Sequence, residues 1–321
     1  MLEQLAARLK SGTNLSVPEM NSAMDLLLSG SVSDEQKAEF LLGLNKKGET
    51  DDELYAMLSK MDEYGIHIVP ECRGTIIDVC GTGGDNLQTF NISTAAAFVI
   101  AASGGFVAKH GNRSVSGVSG SADIFEFFGY DLAAEPEKIK EIIEKFRIGF
   151  LFAQRFHPAM KNVAVARKIL GTRTAFNLLG PLCNPAGVKN QLIGVFSEQY
   201  LDRVISILKR RNAQNIMTVH SEDGLDELST GGKSKVCLLK DGKTTKSIID
   251  PQKLGLHKSA IKDLKVSSKQ DAVKAFLSVL NGTANRSMQE ITALNAAGGL
   301  IVANISKNFD EGVETAMQTI K

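Results

Sequence analysis

Thr75-Ile-Ile-Asp-Val-Cys-Gly-Thr-Gly-Gly-Asp85 opens as an apolar, β-branched run and breaks at glycines, and the Ala-rich segment Thr94 to Ser103 follows a polar interval. The first part has the residues of a short buried strand, the second those of a packed helix. Working outward, the alternation continues. Phe106 to Lys109 and Gly149 to Ala153 read as strands, Ser121 to Phe128 and Pro136 to Phe146 as helices. Gln191 to Phe196 and Asn215 to His220 are strands with a helix, Glu198 to Arg211, between them. Lys235 to Leu239 and Thr244 to Ile249 flank Asp241-Gly242, a hairpin signal. Two helices are expected to finish the chain. Strand and helix in turn predict an α/β fold with a mostly parallel central sheet flanked by helices.

Ahead of residue 66 the pattern differs. Ser16 with Glu19, Ser33 with Gln36 and Thr50 with Glu53 have capping-box spacing, which predicts four helices and no strand. Pro158 to Leu170 returns to a helical period and Gly171 stops it. The expected organisation is a small all-α domain, 1–66 with about 158–190, and a larger α/β domain, 67–157 and 191–321.

A chain of 321 residues, 43% hydrophobic, can fill both cores. Lys and Arg total 37 against 36 Asp and Glu, so no bulk field points to nucleic acid or to an anionic membrane, and any anion site must be local. Cys72, Cys80, Cys183 and Cys237 show neither metal spacing nor disulfide density. Met1 to Lys10 reads as an amphipathic helix rather than a secretory signal, and a cytoplasmic location is the expectation.

Three Gly-, Ser- and Thr-rich turns carry the chemistry: Asp78 to Asp85, Asn91 to Thr94, and Lys109 to Gly117. Each is placed at a strand end or a helix start, where backbone N–H groups and the helix dipole hold phosphate oxygens. In none of these three turns is a second glycine followed by Lys and Ser or Thr, so none is a Walker loop. Gly81, Gly83 and Gly84 precede a polar stretch rather than a helix, so the dinucleotide fingerprint fails too. One such turn is equally a tight connection; three in one stretch favour phosphate. Pyrophosphate calls for a hard cation, and Asp226 and Glu227, just past a strand end, are candidate Mg²⁺ carboxylates. A solvated acidic loop is the other reading of that pair.

Asp78-Val-Cys-Gly-Thr-Gly-Gly-Asp, Thr89-Phe-Asn-Ile-Ser-Thr, Lys109-His-Gly-Asn-Arg, Gly120-Ser-Ala-Asp, His157-Pro-Ala-Met-Lys-Asn-Val-Ala, Arg173-Thr-Ala-Phe-Asn-Leu-Leu-Gly-Pro-Leu, Asn184-Pro and Gly224-Leu-Asp-Glu-Leu occur in this order over nearly the whole length. Together they resemble the anthranilate phosphoribosyltransferase family. The resemblance implies transfer of phosphoribosyl from 5-phosphoribosyl-1-pyrophosphate (PRPP) to the amine of anthranilate in tryptophan biosynthesis. It also implies Mg²⁺, two ions per active site, a site between the domains, and a homodimer through the helical part, with neither nucleic acid nor membrane as partner.

Carried over by position, the PRPP site would comprise Gly81, Gly84, Asp85, Thr89, Asn91, Ile92, Ser93, Thr94, Lys109, His110, Gly111, Asn112, Arg113, Ser114, Val115, Ser116, Gly117 and Ser121. Ser93, Asp226 and Glu227 would hold metal. Gly81, His110, Asn112, His157, Arg167, Gly180 and Pro181 would receive anthranilate, with Arg167 on its carboxylate. His110 would be a proton acceptor or relay. Two positions depart from the family pattern: Val118 stands where many members carry Lys, and Val165 where Pro is common. A pyrimidine nucleoside phosphorylase is the competing enzyme reading, and a nucleic-acid-binding relative of the same fold the non-catalytic one. Near-neutral charge and the retained acidic pair argue against the latter.

Overall fold

The computed structural model describes residues 1–85, 87–114 and 117–321. In chain order the first elements are helices α1 (Leu2–Lys10), α2 (Val17–Leu28), α3 (Asp34–Lys47) and α4 (Asp51–Glu63), then β1 (Ile76–Gly81), α5 (Ile92–Ala102) and β2 (Phe106–Gly111). There follow α6 (Ser121–Phe127), α7 (Pro136–Phe146), β3 (Ile148–Phe152), α8 (Ala153–Phe156), α9 (Lys161–Leu170), α10 (Ala175–Leu179), β4 (Asn190–Gly194) and α11 (Tyr200–Lys209). The last are β5 (Asn215–Ser221), β6 (Ser234–Lys240), β7 (Lys243–Ile249), α12 (Lys269–Leu280), α13 (Arg286–Val302) and α14 (Phe309–Ile320). They form two compact units, Met1–His67 with Ala153–Pro185, and Ile68–Phe152 with Ala186–Lys321.

The first unit is helical, and its caps are the ones the sequence announces. Glu19 accepts the Ser16 N–H at 2.9 Å, and Ser33 and Gln36 exchange side chain-to-backbone bonds, as do Thr50 and Glu53. Glu53 is fully buried yet satisfied, accepting from the Leu15 N–H and from Lys47 Nζ, each at 2.8 Å. Lys37 Nζ donates to Asn162 O at 2.6 Å and Asn162 Nδ2 to Leu28 O at 2.7 Å, which fastens α9 to this bundle. The second segment starts at Ala153 rather than 158, because the Ile66 N–H bonds Phe156 O at 2.8 Å and the Phe156 ring is buried.

The second unit is built on a seven-stranded sheet of order β3-β2-β1-β4-β5-β6-β7. Strands β1 to β5 pair in parallel and β6 and β7 add antiparallel. Asp241 (φ 51°) and Gly242 (φ 73°) make the tight hairpin turn, a conformation that asks for this residue pair. Three helices rather than two finish the chain. Gly282 at φ 68° ends the α12 region, and Ser268, Asn285 and Asn308 each cap a new helix by accepting a backbone N–H. Ile77, Val79, Ile100, Val107, Leu192, Met217 and Leu300 lie in one core where α5 and α13 cover the sheet.

The chain winds from β1 through β2 to β3 on one side, then returns to β4 on the other side of β1. The carboxyl ends of β1 and β4 are therefore a topological switch point, the position at which open α/β sheets leave a crevice for ligand.

Candidate active site

At that switch point Gly81 of β1 and Gly194 of β4 are register partners. A Cβ on Gly81 would stand 2.8 Å from Asp226 Cγ, and one on Gly194 would overlap the Asp226 carbonyl. The two glycines admit the acidic turn after β5 to the strand ends. Gly194 is missed by motif reading, since nothing in its neighbourhood marks it; only the register with Gly81 does. The Gly83 N–H, on a turn where φ is 73°, donates to Asp226 Oδ2 at 2.6 Å.

Asp226 is buried, and Glu227 is half-buried beside it. Burial and then the neighbouring Asp85 carboxylate push the Asp226 acid up, while the Gly83 N–H opposes the shift. Burial and then Asp226 likewise raise Glu227, opposed by Lys109 and the Ser93 backbone N–H. Lys109 is buried at 1% exposure, its Nζ donating to Val79 O at 2.6 Å and to Ser93 Oγ at 3.4 Å. Among the described residues three carboxylates, Asp85, Asp226 and Glu227, thus act on one another beside one ammonium, that of Lys109. An oxygen donor set carrying this uncompensated negative charge fits a hard divalent cation, which would relieve the repulsion that burial amplifies. Asp226 and Glu227 would hold it, with the Ser93 hydroxyl adjacent.

The start of α5 supplies the opposite polarity. Asn91 Nδ2 donates to Ser119 O at 3.1 Å, and among the described residues its buried Oδ1 has no partner. Thr94 is fully buried and donates to Ser121 Oγ at 3.0 Å, while the Ile92 side chain belongs to the apolar cluster of Phe90, Leu264 and Phe276. Asp85 Oδ1 accepts the Leu87 N–H at 3.1 Å, and Thr89 bridges Lys265 in antiparallel fashion. Gly84 is at φ 81°.

After β2, the His110 N–H donates to Asp78 Oδ1 at 3.2 Å, and the His110 side chain is buried. A Cβ on Gly111 would come 2.9 Å from the Phe150 ring. Asn112 O accepts the Ala122 N–H at 3.3 Å, and Ser114 Oγ accepts the Gly117 N–H at 2.7 Å. The Arg113 guanidinium makes a two-pronged pair with Glu126 at 2.6 and 2.7 Å and reaches Asp123 at 3.2 Å. Both acids face it because α6 folds back along the turn. Asp123, without an assigned role from sequence, also accepts the Gly120 N–H and Lys269 Nζ, at 2.8 and 2.7 Å. Val118 packs against the Phe90 cluster. Val115 and Ser116 lie outside the described residues.

In the helical unit, Arg167 is half-buried on α9, its guanidinium 5.7 Å from the Phe176 ring centroid and 3.4 Å from Asn177 Oδ1. Burial alone lowers its pKa, and among the described residues no carboxylate answers its charge. His157 Nε2 donates to Cys183 O at 2.9 Å, and burial keeps the imidazole neutral-leaning. Gly180 ends α10 and Pro181 continues in a 3-10 turn, with Cys183 Sγ 3.2 Å from Gly180 O.

The Glycosyl transferase family, a/b domain, matches residues 73–321, and the Glycosyl transferase family, helical bundle domain, matches 3–65. An anthranilate phosphoribosyltransferase of Nitrosopumilus maritimus is 63% identical over all of this chain and 92% of its own. The chain belongs to the anthranilate phosphoribosyltransferase family. The crystal structure of the Thermus thermophilus family member superposes with a TM-score of 0.90 at 37% identity, over 98% of this chain and 94% of the other. The Saccharomyces cerevisiae enzyme in complex with PRPP and Mg has a TM-score of 0.89 over 99% and 93% of the two chains. At 24% identity it speaks for the fold alone.

Proposed function

We infer that the chain is an anthranilate phosphoribosyltransferase of tryptophan biosynthesis. It moves the 5-phosphoribosyl group of PRPP to the amine of anthranilate and releases pyrophosphate. The observation that carries this reading is the Asp226–Glu227 pair, Asp226 buried and Glu227 half-buried, let in by Gly81 and Gly194 and set against the α5 start and Lys109. Membership of the family at 63% identity supports it.

The C1′–O bond to pyrophosphate breaks, the C1′–N bond forms and the amine gives up one proton. The anthranilate amine is neutral at pH 7, so positioning and charge stabilisation suffice and no covalent nucleophile is needed. Mg²⁺, when bound, offsets the charge gathering on the leaving pyrophosphate. We assign Asp226, Glu227 and Ser93 to metal, two ions per site, and the turns at Gly81–Thr89, Asn91–Thr94 and Lys109–Ser121 to PRPP. Lys109 contributes its ammonium, and the unanswered Asn91 Oδ1 and the α5 N-terminus contribute polar contacts. Arg113 contributes through its backbone, because its side chain is held by α6. We assign Arg167 to the anthranilate carboxylate, with Gly81, Asn112, His157, Gly180 and Pro181 shaping the acceptor site and His110 taking or relaying the amine proton.

A homodimer is proposed through the helical unit, where Val165 and Ile169, one turn apart on α9, are 51% and 54% exposed apolar side chains that a second copy would cover. Light scattering of the purified protein tests this. A cytoplasmic location suits four free cysteines, and among the described residues no helix is long and apolar enough to cross a membrane. Mixing the protein with PRPP, Mg²⁺ and anthranilate should consume anthranilate fluorescence and release pyrophosphate. Unchanged fluorescence with folded protein would overturn the assignment.

A further inference from the structure

We propose that Asn295 of α13 is a positioning residue for the Asp226–Glu227 pair, because its amide clamps the backbone of Leu228, the next residue, from both sides. The inference rests on the reading of that pair as metal carboxylates. Asn295 and Leu228 are both fully buried. Asn295 Oδ1 accepts the Leu228 N–H at 3.0 Å, and Nδ2 donates to Leu228 O at 2.8 Å and to Ile291 O at 2.9 Å. Both amide hydrogens and the oxygen are used, so the side chain has one orientation. Its bond to its own helix fixes which edge it presents to the loop.

A buried segment that is neither helix nor strand must find partners for its peptide groups. Only an amide side chain can donate and accept toward the same residue in this way; Asp lacks the donor, and Ser is too short to span both groups. The approach is close. A Cβ on Gly298, one turn after Asn295, would sit 3.0 Å from Leu228 Cδ1. At the other end the loop is closed on itself: Asp223 accepts the Ser221 hydroxyl at 2.7 Å and also takes the Ser229 hydroxyl. The Asp226 carbonyl is pressed against Gly194. The carboxylate pair is thus held from the sheet by a glycine and from the helix layer by an amide, and Glu227 lies between those two fixed points. A shift at Leu228 is transmitted to Glu227 directly through one peptide unit.

The test uses the full chain with Asn295→Leu, which removes both loop bonds at similar volume, and Asn295→Ser, which leaves room for water. Mn²⁺ uptake in the presence of PRPP, followed by loss of the free-ion resonance signal, should weaken about 10- to 100-fold in Asn295→Leu, as for removal of partners that orient ligands, and less in Asn295→Ser. The Mg²⁺ needed for half-maximal turnover should rise in the same order, while the anthranilate KM stays within about twofold. A residue that merely fills the core would lower melting temperature and folded fraction but leave Mn²⁺ uptake per folded molecule unchanged, and that result would overturn the proposal. If Asn295→Leu does not fold, Asn295→Ser decides by the same measurement. Wild-type protein that takes up no Mn²⁺ with PRPP would remove the metal reading and this role together. Normal wild-type uptake with unchanged variants removes this role alone.

Discussion

Asp123, in the first turn of α6, and Asp226, in the loop after β5, are both buried carboxylates of the same α/β unit, and their surroundings are opposite. Burial opposes ionisation at Asp123, but Lys269, the Gly120 N–H and Arg113 outweigh it and hold the acid below its ordinary range. At Asp226 burial is reinforced by the Asp85 carboxylate, and the acid is pushed up. Asp123 is complete within the protein, whereas Asp226 faces a like charge that the proposed cation would offset. The difference separates a carboxylate that shapes a loop from one that waits for a ligand.

The largest effect should come from the double variant Asp226→Asn, Glu227→Gln. The amides keep the shape, and Asn can still accept the Gly83 N–H, but the charges proposed to hold Mg²⁺ are gone. PRPP turnover at limiting Mg²⁺ should fall by about 100-fold or more. Melting temperature should stay level or rise, because buried like charges have been removed. A loss of folding stability equal to the loss of activity would place this pair with Asp123. Gly194→Ala attacks the same loop from the sheet: its methyl would overlap the Asp226 carbonyl, so the loop must move. Overpacking of this kind costs about 1–3 kcal/mol, to be read from denaturant unfolding, and turnover should fall with a raised Mg²⁺ requirement. Unchanged Mg²⁺ dependence would mean that the loop position is not what tunes the carboxylates.

The same contrast appears among cations. Arg113 is spent on Glu126 and Asp123, while Arg167 has a ring and an amide beside it but no carboxylate among the described residues. Arg167→Ala should lose about 2–4 kcal/mol of anthranilate recognition, read as a raised anthranilate KM with PRPP affinity nearly constant. Helix α9 should survive, since Ala is the better helix former. Equal loss toward both substrates would make Arg167 a phosphate or framework residue.

The residues that were legible in the sequence are those whose cause is local. Ser33 with Gln36 and Thr50 with Glu53 lie three positions apart and cap as their spacing says. Asp241-Gly242 turns the β6–β7 hairpin because both residues accept positive φ. What escaped depends on register and long-range closure. Gly83 and Asp226 are 143 positions apart, Leu228 and Asn295 are 67 apart, and no period or motif links either pair. Asn295 did leave a trace, an amide in the otherwise apolar and glycine stretch Ala293–Val302 of α13. The Arg113 pairing was not legible either, since its acids lie on the following helix and reach it only once α6 folds back.

The smallest effect, and the control for the comparison, is expected at Asp123→Asn. Its cations depress the folded-state pKa, so the carboxylate's contribution is fully present above the unfolded value, about 3.9, and is lost as pH falls through the folded value. Wild type and variant should therefore differ by a constant amount near neutrality and converge in acid below about pH 4. The paired groups are solvent-facing, with Lys269 65% and Arg113 40% exposed, so the difference should be no more than about 1 kcal/mol and shrink with salt. Because Asp123 holds the Gly120 N–H and Arg113, the turn after β2 should loosen and the PRPP KM rise by about threefold, with the Mg²⁺ requirement unchanged. An Mg²⁺ requirement that rises as in the Asp226–Glu227 double variant would erase the distinction, because it would show that the cation-paired carboxylate also serves the metal.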